Sequence, residues 1–259
     1  MRHAAIIEYD GSKFNGWQDQ PHAPSVQAAI ETALSRVADE PIRVHASGRT
    51  DSGVHAVGQV VHFDTDKVRT PYNWLRGANS NLPEGVALSW IGPMADEFHA
   101  RFSARSRRYR YILYTRRIPL GIFSSYVSCY PLDLDLRAMQ TGLRALLGTH
   151  DFSAYRASEC QSKKPVKTLY SIEVDRQGYW VWLDVHGDGF LHHMVRNIVG
   201  VMLKIGAGER PPEWAAEVLE GRDRRHGGIT ARPNGLYFLG VQYPQQFELP
   251  VIMTPPRFW

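Results

Sequence analysis

Two stretches of this chain repeat one order of hydrophobic periodicities, and that order limits the fold more than any single motif. In the first stretch, strand-like segments at 4–9, 43–47, 59–64 and 86–91 are interleaved with helical segments at 26–37 and 72–79. In the second, strand-like segments at 108–114, 170–174, 179–185 and 236–242 are interleaved with helical segments at 136–147, 191–205 and 213–219. Each stretch reads roughly as β-α-β-β-α-β, the split βαβ pattern. The helical readings rest on spacing. Val26, Ile30, Ala33, Leu34 and Val37 form one apolar stripe, with Ser25 placed to cap it. Leu136, Met139, Leu143, Leu146 and Leu147 form another, closed by Gly148. Pro211 and Pro212 suit the start of the last helix. A hairpin turns at Gln177-Gly178, and Trp180, Trp182 and Asp184 then alternate with Val181, Leu183 and Val185. The boundary between the stretches falls between Phe102 and Ser106, which divides the chain into residues 1–105 and 106–259.

Composition removes several classes of function. The chain is 43% hydrophobic and 22% charged, the balance of a water-soluble domain. No apolar run reaches the ~20 residues that span a bilayer. The opening, Met1 to Tyr9, meets a charge too early for a signal peptide. Cys129 and Cys160 are the two cysteines, far apart and in no CxxC pair, so neither a disulfide scaffold nor a cysteine zinc site is expected and a reducing cytoplasm fits. No GxGxxG or P-loop is present to hold a nucleotide cofactor.

The net charge of +4 says little by itself; its distribution says more. Arg101, Arg105, Arg107, Arg108, Arg110, Arg116 and Arg117 crowd one stretch without an acid among them. Lys163, Lys164 and Lys167 form a second cluster, and Arg222, Arg224 and Arg225, diluted by Asp223, a third. A nucleic-acid partner accounts for such clusters because phosphates must be neutralised. Solvated faces account for them as well.

The densest chemical signal is Gly48-Arg49-Thr50-Asp51-Ser52-Gly53-Val54-His55-Ala56. Glycines bracket a single acid and a single arginine, so the loop can take tight turns and let another chain come close. An ordinary Asx-turn built on Asp51 fits the same residues. Asp51-Ser52-Gly53 also matches the aspartic-protease tripeptide, but that chemistry needs paired carboxylates and no second Asp-Ser/Thr-Gly occurs. A metal site using Asp51 with His55 or His62 lacks any HExxH or paired Cys/His pattern. The remaining chemistry is nucleophilic or electrostatic catalysis at a sugar by one carboxylate.

Gly48-Arg49-Thr50-Asp51 followed by Gly53-Val54-His55 resembles the active-site signature of the tRNA pseudouridine synthase A family. Further segments match in the same order: Arg107-Arg108-Tyr109-Arg110-Tyr111, then Phe190-Leu191-His192-His193-Met194-Val195-Arg196-Asn197, then Gly235-Leu236-Tyr237. The opening Glu8-Tyr9-Asp10-Gly11 with Phe14-Asn15-Gly16-Trp17-Gln18 matches too, so the resemblance spans essentially the whole chain. Ser52 stands where the family more often has alanine, and Phe238 where it more often has leucine. The stretch 157–167 is loop-like and aligns poorly.

The resemblance implies an α/β (α+β) fold of two pseudo-symmetric split-βαβ, ferredoxin- or RRM-like halves. These would form an antiparallel sheet with flanking helices and a basic active-site cleft between them. It implies isomerisation of uridine to pseudouridine at tRNA positions 38, 39 and 40, with no cofactor and no metal, by a homodimer. Asp51 would be the nucleophile. Tyr109 would stack on the uracil, a contact worth ~1–3 kcal/mol, although a core tyrosine beside Tyr111 and Leu113 is the commoner fate of such a strand position. Arg196 would bind at the site and hold Asp51 ionised. Arg49 would fill the space left by the flipped base, or else cap a carbonyl. Leu236 would wall the base or simply fill a core. Arg105, Arg107, Lys163 and Lys164 would contact phosphates without reading sequence. A non-catalytic RNA-binding module is the alternative; it would use the same basic clusters and strand aromatics but have no need of Asp51.

Overall fold

A computed structural model describes residues 1–160, 162, 164–250 and 253–259. In chain order the strands and helices are β1 (Arg2–Tyr9), α1 (Val26–Ala38), β2 (His45–Ala46), β3 (His55–Asp64), α2 (Pro71–Asn81) and β4 (Val86–Met94). They continue with β5 (Ser106–Thr115), β6 (Ser128–Tyr130), α3 (Leu136–Arg144), β7 (Gly148–Asp151), β8 (Val166–Gln177) and β9 (Trp180–Gly187). The last are α4 (Met194–Gly206), α5 (Trp214–Gly221) and β10 (Leu236–Gln242). The class is the expected α+β. The chain divides into two compact units, Met1–Arg105 with Tyr237–Pro256, and Ser106–Leu236 with Arg257–Trp259. Residues Tyr237–Pro256 cluster with the first unit, rather than with the residues before them, because β10 pairs in parallel with β3 through Tyr237 and Phe238.

In the first unit β1 lies between β3 and β4, antiparallel to both, and β2 adds to β3 with His45 opposite His62. Successive side chains of a strand point to opposite faces, and β3 buries both. Phe63 meets Trp74 of α2, while its neighbour His62 meets Phe98, which also packs against Tyr243 and Phe247. That double cover explains why β1 reads as an unbroken apolar run, Ala4 to Ile7, instead of alternating. Ser25 caps α1 by accepting a hydrogen bond from Ala28 N at 3.2 Å, as its position predicts.

In the second unit the strand order is β6-β5-β9-β8-β7, antiparallel except for β6 along β5. The alternation of β9 holds: Val181, Leu183 and Val185 are buried and Trp180, Trp182 and Asp184 are partly exposed. On that second face Trp259 stacks on Trp182 and Phe258 on Trp180. Three expectations change. The stretch between residues 147 and 170, where the periodicities mark no strand, contains β7 paired to β8. Helix α3 stops at Arg144, although Leu146 remains in the core. Helix α4 begins at Met194 rather than residue 191, because His193 takes a left-handed φ of 59° that no helix continues through. Arg196 therefore sits in the first turn of α4 instead of inside it. Among the described residues no helix is long and apolar enough to cross a membrane.

Candidate active site

The loop that carries Asp51 is held from beneath by β1, β3 and the turn after β1. Gln59, 0% exposed, accepts from Ser47 Oγ at 2.6 Å and donates to the Gly48 carbonyl at 2.7 Å. The Tyr9 hydroxyl lies 2.8 Å from Thr50 Oγ1, and Trp17 N donates to the Thr50 carbonyl at 3.0 Å. Burial pushes the Tyr9 phenol up to about 12, against the pull of its bonds with Thr50 and Gln59, so it stays a neutral strut. Val54 N closes the turn on the Asp51 carbonyl at 3.1 Å, with Gly53 at φ +78°. Gly11 packs so closely beneath that a Cβ there would lie 2.0 Å from the Val54 carbonyl oxygen. Gly11 N donates to His55 Nδ1 at 3.1 Å, and the His55 ring stacks on Tyr237 at 4.8 Å. The same nitrogen lies 3.3 Å from the Asp10 carboxylate. The result is a half-buried carboxylate on a backbone with little freedom, and an exposed Arg49 two residues earlier.

The second unit carries the other expected groups. Tyr109 is on β5, 9% exposed, with the edge of its ring against Phe190 at 4.9 Å. Arg107 Nη1 donates to the Asp188 carbonyl at 3.0 Å, and Asp188 in turn accepts from Thr168 N at 3.0 Å, which fixes the loop after β9. Arg196 is half-buried and donates from Nε to the Ala231 carbonyl at 2.8 Å. Leu236 is buried at the start of β10. The turn before it is pinned by Tyr111, whose hydroxyl lies 2.6 Å from Ser128 Oγ and donates to the Arg232 carbonyl at 2.7 Å. Burial raises the Tyr111 phenol far above its ordinary range.

A sequence profile described as tRNA pseudouridine synthase matches residues 5–103 and 143–244. The chain belongs to that family. The tRNA pseudouridine synthase A of Nitrosococcus oceani is 50% identical over 259 residues, covering 100% of both chains. That of Shewanella sediminis is 49% identical over 258 residues, covering 100% of this chain and 99% of the relative. A solved H/ACA ribonucleoprotein bound to a substrate RNA containing 2'-deoxyuridine matches 80% of this chain and 54% of that one, at 10% identity and a TM-score of 0.33, too slight to add to the argument.

Asp51 and Arg49 of this synthase-family chain share one loop of the first unit, and Arg105 is exposed in the same unit. Tyr109, Arg107, Arg196 and Leu236 lie in the second. Lys164 is exposed, and Lys163 lies outside the described residues. The basic clusters are only partly open to a ligand. Arg110, 6% exposed, is committed to a two-pronged pair with Asp184 at 2.7 Å for each bond. Arg225 pairs with Asp223 at 2.6 Å, and Arg224 is bonded to Asn197 and Thr230. Sequence reading missed Tyr9, Gln59 and Gly11 as the foundation of the Asp51 loop, and Phe190 and Asn197 as supports in the second unit. The only signal for them was their place inside the matching segments, or, for Gln59, an isolated polar residue in an apolar strand.

Proposed function

We propose that this protein is a tRNA pseudouridine synthase, an intramolecular transferase that isomerises uridine in the anticodon stem-loop, working in the cytoplasm as a homodimer. One observation carries the reading: a half-buried Asp51 on a loop fixed by neutral hydrogen bonds, within a chain whose relatives of that name match it over its full length. In the reaction the bond between ribose C1′ and N1 of uracil breaks, the freed ring turns, and C1′ bonds to C5. The proton on C5 leaves to solvent, and N1 takes one up. Charge and oxidation level are unchanged overall, so no redox cofactor enters the balance. The sugar carbon becomes electron-poor as the base departs, and a carboxylate stabilises or captures it, as in glycoside hydrolysis. Asp51 is the group assigned to that carbon, by attack at C1′ or by taking a ribose proton to form a glycal; both routes use one ionised carboxylate.

Tyr109 provides the aromatic face for the uracil and Leu236 the apolar wall, each on a rigid strand. Arg196 binds the substrate, and Arg49 takes the place of the extruded base. Arg105, Arg107, Lys163 and Lys164 meet phosphates. The test is release of tritium from tRNA labelled at C5 of uridine. The wild-type protein releases label, and Asp51→Asn lowers the rate at least about a thousand-fold while binding tRNA with nearly unchanged affinity. Label release by Asp51→Asn at the wild-type rate would refute the assignment. Tight tRNA binding by a wild-type protein that releases none would point to an RNA-binding module instead.

A further inference from the structure

Helix α4 places a glycine, Gly200, in its middle, which costs about 1 kcal/mol relative to alanine. The reason is a second piece of backbone. A Cβ at Gly200 would lie 1.8 Å from the Ile229 carbonyl oxygen, and one at Gly228 would lie 2.6 Å from the Gly200 carbonyl oxygen. The segment before β10 thus lies directly on the helix, main chain against main chain. Its one large apolar side chain adds little, since Ile229 is 80% exposed and only the small Ala231 is buried.

Polar bonds do most of the holding, and they converge on the first turn of α4. Arg224 Nη2 donates to Asn197 Oδ1 at 3.0 Å and to Thr230 Oγ1 at 2.9 Å. Thr230 Oγ1 donates to Asn197 Oδ1 at 2.7 Å, and Asn197 Nδ2 donates to the Tyr155 carbonyl at 2.8 Å. Asn197, 2% exposed, thereby uses both ends of its amide. One residue beyond Thr230, Ala231 grips Arg196 twice. Its N–H donates to the Arg196 carbonyl at 3.1 Å, and its carbonyl accepts from Arg196 Nε at 2.8 Å. A guanidinium is planar, so fixing Nε fixes where the paired Nη groups point.

We propose that Asn197, Arg224 and Thr230 form a clasp that aims the Arg196 guanidinium, making them positioning residues for the substrate-binding arginine. The inference rests on the role given to Arg196 above. Its chemistry is specific: lysine at 196 has no Nε–H donor to offer Ala231, so the clasp has nothing to aim in an Arg196→Lys protein.

The experiment is a double-mutant cycle read by single-turnover tritium release, with tRNA affinity and thermal unfolding measured alongside. Thr230→Val removes the hydroxyl at nearly constant shape. It should slow release on the order of ten-fold, the worth of one hydrogen bond or slightly more, and Thr230→Ser should restore the rate. In an Arg196→Lys background the same Thr230→Val change should have no further effect on the rate. An equal factor in both backgrounds would mean that the clasp only stabilises the fold, and would overturn the proposal. A wild-type rate for Thr230→Val beside a slow Arg196→Lys overturns the clasp alone. A wild-type rate for Arg196→Lys overturns the role of Arg196 and the clasp with it. If Thr230→Val does not fold, Arg224→Gln tests the same link with the same expected pattern.

Discussion

The loop bearing Asp51 and the helical turn bearing Arg196 are both held at the main chain, but by opposite kinds of group. Beneath Asp51 the supports include the Tyr9 phenol, the Gln59 amide and the Gly11 N–H, the last bonded to a His55 ring that also lies 3.3 Å from Asp10. Around Arg196 they include a second guanidinium, Arg224, spent on an amide and a hydroxyl rather than on an acid. The contrast has a physical logic. A guanidinium beside the main chain of an acid would compete for that acid, whereas the Tyr9 and Gln59 bonds hold the Asp51 loop through dipoles. The Arg196 main chain and its Nε are both held by Ala231, the first through that residue's N–H and the second through its carbonyl. Both regions use a glycine that admits close backbone approach, and both therefore fail in the same way when a methyl group is added.

The largest effects should come from those glycines. Gly11→Ala drives a Cβ into the Val54 carbonyl, and Gly200→Ala drives one into the Ile229 carbonyl. Each should cost about 3 kcal/mol or more, because backbone cannot step aside as a side chain can. For Gly200 the sign is the sharp point, since alanine in a helix ordinarily stabilises by about 1 kcal/mol. Chemical denaturation of the two variants checks this, and hydrogen exchange should place the loosening in the Asp51 loop for one and in the segment 226–231 for the other. A more stable Gly200→Ala protein would remove the main-chain contact from the account.

An acid titration should separate the two regions further. His62 is buried in β3, and its pKa is lowered to about 4, chiefly by desolvation and then by the charges of His99 and His45; Arg2 adds to this and Asp64 opposes it. The unfolded value is about 6.5, so the unfolded chain binds the extra proton first. The stability this imidazole contributes is whole above pH 6.5 and is lost as pH falls toward 4. Hydrogen exchange in β1 and β3 should quicken from pH 7 to pH 5, after correction for intrinsic rates, while the Arg224 clasp changes less. His62→Asn keeps an acceptor for Ala100 N and should flatten the dependence. Equal acid sensitivity in both regions would erase the distinction.

The smallest effect expected is that of Tyr9→Phe. It removes the buried hydroxyl that bonds Thr50 and Gln59 and should lower stability by about 1–2 kcal/mol, seen as a modest drop in unfolding temperature. Its rate of tritium release should fall more than its stability does, since Thr50 adjoins Asp51. An unchanged rate would mean that the loop keeps its shape without that strut.

Much of this was legible beforehand, and the parts that were not share a cause. The stripe in α1 and its Ser25 cap, the alternation in β9 and the turn at Gly178 all depend on residues a few positions apart, so their pattern is written locally. The start of α4 was misplaced because apolar spacing continues through His192 and His193 while the backbone at His193 does not. β7 was missed because a short, half-exposed strand is specified by its partner β8 more than by its own residues. Charge clustering overstated the surface open to a ligand, since Arg110 and Arg225 are spent on Asp184 and Asp223.

The amino-acid order alone determined the class of fold, the family and the segments that mark it, because each is carried by spacing or by a short run of residue types. Tertiary structure decided what holds those residues still. Tyr9 reaches Thr50, Gly11 meets Val54, Tyr237 covers His55 and Ala231 takes Arg196, all across distances in sequence that no periodicity spans. Such contacts exist only once the core has closed, since the cost of ordering a long loop is met by many contacts formed together.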